Sequence, residues 1–353
     1  NKSLLRYLRD DLRITSATAG RSEGACGTCT ILFHAEAVKA CTLTTKMADG
    51  HSIITVEGLT EWEKRVYDYA FGKAGAVQCG FCIPGMVMAA KGLLDKIPDP
   101  SEEESRFAIR NNICRCTGYV KIVEAINLAA RIFREGGLEE EKEEWKIGAR
   151  VKRPDVREKV LGYGKYPDDL YVDGMLHAVA LRSKYPRAKL LSLDKEEALK
   201  EEGVVAIFTA QDIPGKKTVG HIVKDWEAMI GIGETTRFLG DPVALVVADT
   251  RDHADRAKDK IKVEYEVLPF ISSIDEAKKE GAVLVHPEYK GNIAQERHIS
   301  RGDAEKAIAE SDFTYTSVFS TPHTEHAFLE PECALSIPTE EGVRIYSTDQ
   351  GVY

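Results

Sequence analysis

Seven of the chain's eight cysteines fall in its first third, at Cys26, Cys29, Cys41, Cys79, Cys82, Cys114 and Cys116. No other feature constrains the fold as much. The opening "NKSLLRYLRDDL" does not read as an export signal, so metal binding is favoured over a disulfide framework. "QCGFCIPG" supplies C-x2-C and "ICRCTGY" supplies C-x-C, each at the edge of an expected helix. Two helix-pair ends can present four thiolates to one point, with N–H groups at helix N-termini offsetting their negative charge. Such sites suit zinc or iron–sulfur chemistry. Structural zinc more often pairs C-x2-C with a second C-x2-C over a shorter gap. The C-x-C half therefore places iron–sulfur ahead of zinc, with unligated thiols third. Cys333, in "EPECALSIP", stands alone in an apolar strand-like run and reads as a buried thiol without a role.

A chain of 353 residues suggests two to four domains. A net charge of −9 argues against nucleic-acid or anionic-membrane partners. No uninterrupted apolar run approaches a membrane span, and a cytoplasmic location is expected. The first residue is not Met, so the amino end is expected to be incomplete.

The spacing in "SLLRYLRDDL" predicts a helix capped by Ser3, and "CTILFHAEAVKACTL" predicts two β-rich stretches around a polar turn. Residues 1–58 therefore read as a small α+β unit. From Glu61 the pattern turns helical. Pro84 falls in a first helical turn, Ser101 and Glu104 form a capping box, and "GYVKIVEAINLAARIFREGG" is an amphipathic helix closed by Gly136 and Gly137. This helical unit covers 59–135. The acidic run in 136–150 reads as a solvated linker rather than a docking tail. Beyond it, "DGMLHAVALRS", "GVVAIFTAQDIPG" and "DPVALVVADTRDHADRAKDKIKVEYEVLP" predict strands alternating with helices, a cysteine-free α+β domain over 151–273. A further β-rich segment, 274–353, runs from "DFTYTSVFSTP" to "GVRIYSTDQGVY".

The stretch "VQCGFCIPGM…NNICRCTGYVKIVEAI" resembles the helical [2Fe–2S] domain of the molybdenum hydroxylases, the xanthine dehydrogenase and aldehyde oxidoreductase family. The resemblance continues along almost the whole chain. "GYGKYPDDLYVDGMLHAVALRSKYPRAKLLSLD" and "FLGDPVALVVADTRDHADRAKDKIKVEYEVLP" resemble its α+β hammerhead domain. "TPHTEHAFLEPECAL" and "IYSTDQGVY" resemble the beginning of its molybdopterin-binding domain. The implied fold is multidomain α+β, opening with a β-grasp, ferredoxin-like [2Fe–2S] domain. Cys79, Cys82, Cys114 and Cys116 would then ligate one [2Fe–2S] cluster.

Plant-type ferredoxins arrange their ligands as C-x4-C-x2-C followed by a distant Cys. Cys26, Cys29 and Cys41 match the last three places, and Arg21 stands at the first. Arginine stays protonated and offers no lone pair, so it cannot replace a thiolate. Three outcomes are open: a labile cluster with the Ser22 hydroxyl or solvent as fourth ligand, an empty site, or a substitution peculiar to this sequence record. Taken literally, the sequence predicts a weak or absent first cluster.

The resemblance also implies a molybdenum–molybdopterin cofactor in the complete protein. By the same resemblance water would be the oxygen source, and electrons would leave through the clusters. Gln78 matches a glutamine that bonds the pterin, and Gln350 one near the apical oxo ligand; apart from the resemblance, both read as ordinary polar residues at element ends. The family's glycine-rich cofactor loops and carboxylate base would lie beyond Tyr353. No catalytic residue is assigned, and a fragment or split subunit without turnover of its own is expected. No flavin domain is inserted between the cluster domains and Arg150, so FAD would sit on a partner subunit or be absent, as in the aldehyde oxidoreductase type, and the whole would be oligomeric. "GRSEGACGTC" and "EHAFLEPECAL" lean toward a purine substrate such as xanthine or hypoxanthine. The rivals are an aldehyde substrate, a non-enzymatic electron-transfer subunit and a zinc-stabilised interaction protein.

Three tempting features are set aside. His323, His326 and Glu330 lack the spacing of a helical zinc site. "GIGETTRFLGDP" lacks the strand–glycine loop–helix context of a dinucleotide site. His177 reads as a satisfied interior or interface histidine.

Overall fold

The computed structural model describes residues 2–138, 146–149 and 151–349. They form two compact units, one of residues 1–170 and 321–353, the other of residues 171–320.

The first unit opens with one α-helical turn, Leu4–Arg6, that widens into a π-helical turn, Tyr7–Asp11. Ser3 does not cap it by its side chain. Ser3 instead forms an isolated antiparallel bridge with Thr44, which ties the backbone there without the hydroxyl. Leu4, Leu5 and Leu8 bury themselves against Ile31, Ala40 and Cys29. The expected strand pair forms as Thr30–Phe33 and Glu36–Lys39, antiparallel, with Ile53–Ile54 on the other edge of the central strand.

Four longer helices carry the remainder of this unit. Glu61–Ala74 begins with a capping box from Thr60 and Glu63 and stops at Gly75, which is left-handed at φ 66°. Ile83–Leu94 starts directly after Cys82 with Pro84 in its first turn. Glu102–Ala108 has the capping box expected of Ser101 and Glu104: the Ser101 hydroxyl accepts from the Glu104 N–H at 3.2 Å, and the Glu104 carboxylate accepts from the Ser101 N–H at 2.7 Å. Val120–Glu135 ends at Gly136, whose N–H reaches the Ile132 carbonyl. Their apolar faces, including Tyr67, Phe71, Met86, Ile122 and Ile126, build one core that also takes in Phe81, Cys82 and Cys114. The core thus lies directly under the cysteine loops.

Residues 151–170 pack on the same core through Val156, Val160, Leu161 and Tyr166. An antiparallel hairpin, Ala334–Thr339 with Gly342–Ser347, closes the unit. Cys333, just before it, is half-buried rather than buried.

In the second unit His177–Arg182, Pro242–Ala248 and Val204–Phe208 make an antiparallel sheet with Pro242–Ala248 central. Ala188–Asp194 pairs with Lys262–Val267 in a separate antiparallel ribbon. The Arg251–Lys260 helix is capped by Thr250. Its Ala254 and Ala257 face Ala244, Val246 and Ala248, small residues that allow close approach. His177 is half-buried on its strand. The segment "DFTYTSVFSTP", expected to be β-rich, forms no strand among the described residues. Phe313 and Val318 there are 94% and 93% exposed; an extended segment without a neighbouring strand has no ladder to join. Among the described residues no helix is long and apolar enough to cross a membrane.

Candidate iron–sulfur centre

Cys79 and Cys82 flank a turn that only glycine suits. Gly80 sits at φ +88°, and a Cβ there would meet the Lys159 side chain at 2.7 Å. Cys82 is the N-cap of the Ile83–Leu94 helix. Cys114 and Cys116 come from the loop before the Val120–Glu135 helix, and the rest of their motif shapes that loop. The Thr117 hydroxyl donates to Cys114 Sγ at 3.1 Å. Gly118 and Tyr119 both turn left-handed, at φ 69° and 72°. That reversal brings the Tyr119 hydroxyl back to accept from the Cys114 N–H at 2.9 Å. A non-glycine residue in this region costs on the order of 1–3 kcal/mol, which the packed core and this bond offset.

The four sulfurs form two pairs. Cys116 Sγ lies 3.6 Å from Cys79 Sγ. Cys82 and Cys114 are hydrogen-bonded to each other through their sulfurs. A tetrahedral metal with metal–sulfur bonds of about 2.3 Å separates two of its thiolates by roughly 3.8 Å. The observed pair therefore has the spacing of two ligands on one metal, and two such pairs suit a binuclear cluster. Among the described residues no three His, Cys, Asp or Glu side chains close on a single ion. The donor set fits a [2Fe–2S] group of this kind.

The thiols are already polarised toward that role. The bond from Cys82, with help from Thr117, holds Cys114 down to about 5. The same interaction, with burial, pushes Cys82 up. Burial raises Cys79 to about 11 despite a hydrogen bond from the Phe81 backbone.

In the first cysteine set two thiols pair and the third lies within electrostatic reach, without a fourth sulfur. Cys29 and Cys41 are hydrogen-bonded through sulfur; this bond lowers Cys41 to about 6 and raises Cys29, to which Cys26 adds its own field. The Gly24 N–H donates to Cys41 Sγ at 3.2 Å. Cys26 and Cys29 are buried, whereas Arg21 and Ser22 are exposed, Ser22 at φ 58°.

Of the other expected residues, Gln78 is exposed, and its amide donates to the Cys116 carbonyl at 2.8 Å. Gln350 lies outside the described residues. His323 and His326 are exposed. The carbonyls of Glu325 and His326 accept from Arg115, between Cys114 and Cys116, at 2.7 and 2.8 Å.

Sequence reasoning missed the residues that hold the Cys79 loop from a distance. Tyr166 donates to the Cys79 carbonyl at 2.9 Å, Lys159 to the same oxygen at 2.6 Å, and Arg153 to the Gln78 carbonyl at 2.5 Å. All three follow the acidic run; Arg153 and Lys159 match no motif, and nothing in the stretch around Tyr166 points to a cysteine loop more than eighty positions earlier. Thr117 and Tyr119 were legible in principle, because they belong to "CRCTGY".

Comparison with known proteins agrees with this arrangement. Residues 55–127 match a family model described as a [2Fe-2S] binding domain. Residues 161–269 match the a/b hammerhead domain of aldehyde oxidase and xanthine dehydrogenase, and residues 285–353 a molybdopterin cofactor-binding domain. The chain is 33% identical to an aldehyde oxidoreductase of Megalodesulfovibrio gigas over 98% of its own length and 40% of that protein's. It is 49% identical to the nicotinate dehydrogenase small FeS subunit of Eubacterium barkeri, over 36% of this chain and 83% of that subunit. The solved aldehyde oxidoreductase from Desulfovibrio gigas superposes with a TM-score of 0.86 at 31% identity, covering 98% of this chain and 40% of that one. The fold and the paired cysteines define an iron–sulfur, molybdopterin-type oxidoreductase architecture. This chain belongs to the molybdenum hydroxylase family, and it spans about 40% of the aldehyde oxidoreductase it matches.

Proposed function

We propose that Cys79, Cys82, Cys114 and Cys116 hold a [2Fe–2S] cluster that relays single electrons within a molybdenum hydroxylase. The 3.6 Å approach of the free Cys79 and Cys116 sulfurs, with the Cys82 and Cys114 thiols acting on each other beside them, carries this reading. When bound, such a cluster supplies one-electron redox chemistry that side chains cannot. The chain's own contribution is placement. Thr117 and the Phe81 N–H donate to the sulfurs, Tyr119 fixes the Cys114 backbone, and the helical core beneath keeps bulk water off Cys82 and Cys114.

Gln78, exposed beside Cys79 and tied to the Cys116 carbonyl, has amide capacity left for a pterin on the solvent side. We assign it that contact, and Gln350 a place near the molybdenum. Cys26, Cys29 and Cys41 form a three-sulfur site, deficient because Arg21 stands at the fourth position.

For the whole oxidoreductase, an aldehyde substrate is better supported than a purine. The match to an aldehyde oxidoreductase runs through 98% of the chain. Matches to probable xanthine dehydrogenase subunits D and E of Bacillus subtilis cover 54% and 38% of it. Several relatives are subunits, which supports a partner chain as electron acceptor, a flavoprotein among the candidates.

The test is anaerobic reconstitution with iron and sulfide. Expected are about two irons per chain and one [2Fe–2S] signal in electron paramagnetic resonance after dithionite, lost in C79S and C114S. A colourless protein that takes up zinc but no iron would overturn the proposal. Turnover of benzaldehyde against xanthine by the complete oxidoreductase decides the substrate class.

A further inference from the structure

Two cations from one distant segment reach successive carbonyls of the Cys79 loop. Lys159 donates to the Cys79 carbonyl at 2.6 Å and Arg153 to the Gln78 carbonyl at 2.5 Å. The Lys159 stem lies flush on Gly80, where an added Cβ would meet its Cβ, Cγ and Cδ at 2.7–2.8 Å. Its side chain is only 17% exposed, and its ammonium stands 5.3 Å from the Tyr166 ring, whose hydroxyl shares the Cys79 carbonyl. Two carboxylates lie in the field of this ammonium, neither as close as the carbonyl. Asp155 is bonded by two nitrogens of Arg153 and approaches Lys159 only to 3.7 Å. Burial raises Glu330, the other carboxyl in the field of Lys159, and Lys159 itself pulls it back down.

We propose that Lys159, seconded by Arg153, is a positioning residue that sets the reduction potential of the cluster on Cys79, Cys82, Cys114 and Cys116. The inference rests on the iron–sulfur reading above. Reduction adds one electron and one unit of negative charge and breaks no bond. A cation largely shielded from solvent and bonded to a ligand's backbone stabilises the reduced form more than the oxidised one, so Lys159 raises the potential. Its contact with Gly80 also explains that glycine between the two cysteines: the turn needs a left-handed residue, and the lysine stem needs the space.

The test is a dithionite titration of the anaerobically reconstituted chain, followed by electron paramagnetic resonance. Lys159→Met keeps the stem over Gly80 and removes the charge; Lys159→Arg keeps a charge. In K159M the one-electron reduction equilibrium is expected to become about tenfold less favourable, about 59 mV lower in potential, at unchanged iron content. K159R is expected to stay within about threefold of the parent. R153M, which removes the more exposed cation (43%), is expected to shift the same way by about threefold. The proposal is overturned if K159M and R153M both titrate at the parent potential with full iron, or if K159R falls as far as K159M. Parent protein without iron overturns the cluster reading itself, which the iron assay shows separately.

Discussion

Asp169→Ala is expected to destabilise the cysteine-bearing unit by about 3 kcal/mol, because it strands a buried cation. The Arg9 guanidinium is 4% exposed; one nitrogen donates to the carbonyls of Thr15 and Ala17 at 2.9 and 3.1 Å, and another to Asp169 at 2.5 Å. Asp169, 6% exposed, also accepts from the Tyr166 N–H at 3.1 Å. Removing one partner of a buried pair typically costs about 3–5 kcal/mol, most of it the desolvated survivor. The lower figure applies here because Asp168, its side chain 27% exposed, already stands 3.7 Å from the same guanidinium. In a unit of about 150–250 residues, 1 kcal/mol moves Tm by roughly 2–4 °C, so differential scanning calorimetry should show a fall of about 6–12 °C. Asp169→Asn keeps an acceptor and should lose about half as much. The double variant R9M/D169L should lose less than D169A alone, since it leaves no buried charge unpaired and strands only the neutral Thr15 and Ala17 carbonyls and the Tyr166 N–H. A D169A melt within 2 °C of the parent would refute the reasoning. Tyr166 shares this turn with Asp169 and bonds Cys79, so D169A should also lower iron uptake.

Arg21→Cys supplies the missing thiolate and should raise reconstituted iron from about two to about four per chain, with a second resonance signal; four irons in the parent would contradict the role given to Arg21. Gly27→Ala places a Cβ 2.2 Å from the Asn111 carbonyl at a residue with φ +73°. It should cost more than about 2 kcal/mol in urea denaturation. Tyr67→Phe should leave stability unchanged or raise it by up to about 1 kcal/mol, because its buried hydroxyl has no partner among the described residues. Burial also holds the Tyr67 phenol well above its ordinary value. The unfolded chain therefore releases that proton first as pH rises through about 10, stability falls, and Y67F should flatten that fall in a pH series of melts.

What the sequence made legible was local. The Ser101–Glu104 box and the stop at Gly136 depend on residues within one turn, and they form as the spacing implied. The C-x2-C and C-x-C pairs were legible because chemistry restricts both residue type and spacing there. Ser3 was misread because its surroundings are set by Thr44, forty-one positions away. "DFTYTSVFSTP" has strand composition, but a strand is a property of two segments, and no second one meets it among the described residues. Lys159 and Arg153 were invisible for the same reason: a lysine on a short exposed-looking helix carries no mark that its ammonium ends on a carbonyl eighty positions earlier.

The first cysteine loop shows why a missing ligand need not cost the fold. Its anchors are backbone atoms rather than sulfur. The Cys26 carbonyl accepts from the Ile113 N–H at 2.8 Å, and the Gly27 carbonyl accepts from the Asn112 side chain at 2.8 Å. The Thr18 hydroxyl bridges to the Phe81 carbonyl at 3.0 Å. Gly85, on the first turn of its helix, lies so close that a Cβ would meet the Gly27 and Thr28 carbonyls at 2.6 Å. None of these contacts involves Arg21, whose side chain lies on the exposed side. The loop's position against Cys114 is therefore fixed by hydrogen bonds and close packing that survive an empty site. The loop's anchoring does not depend on a ligand at position 21, so placing Cys there asks the loop to bind iron, not to refold.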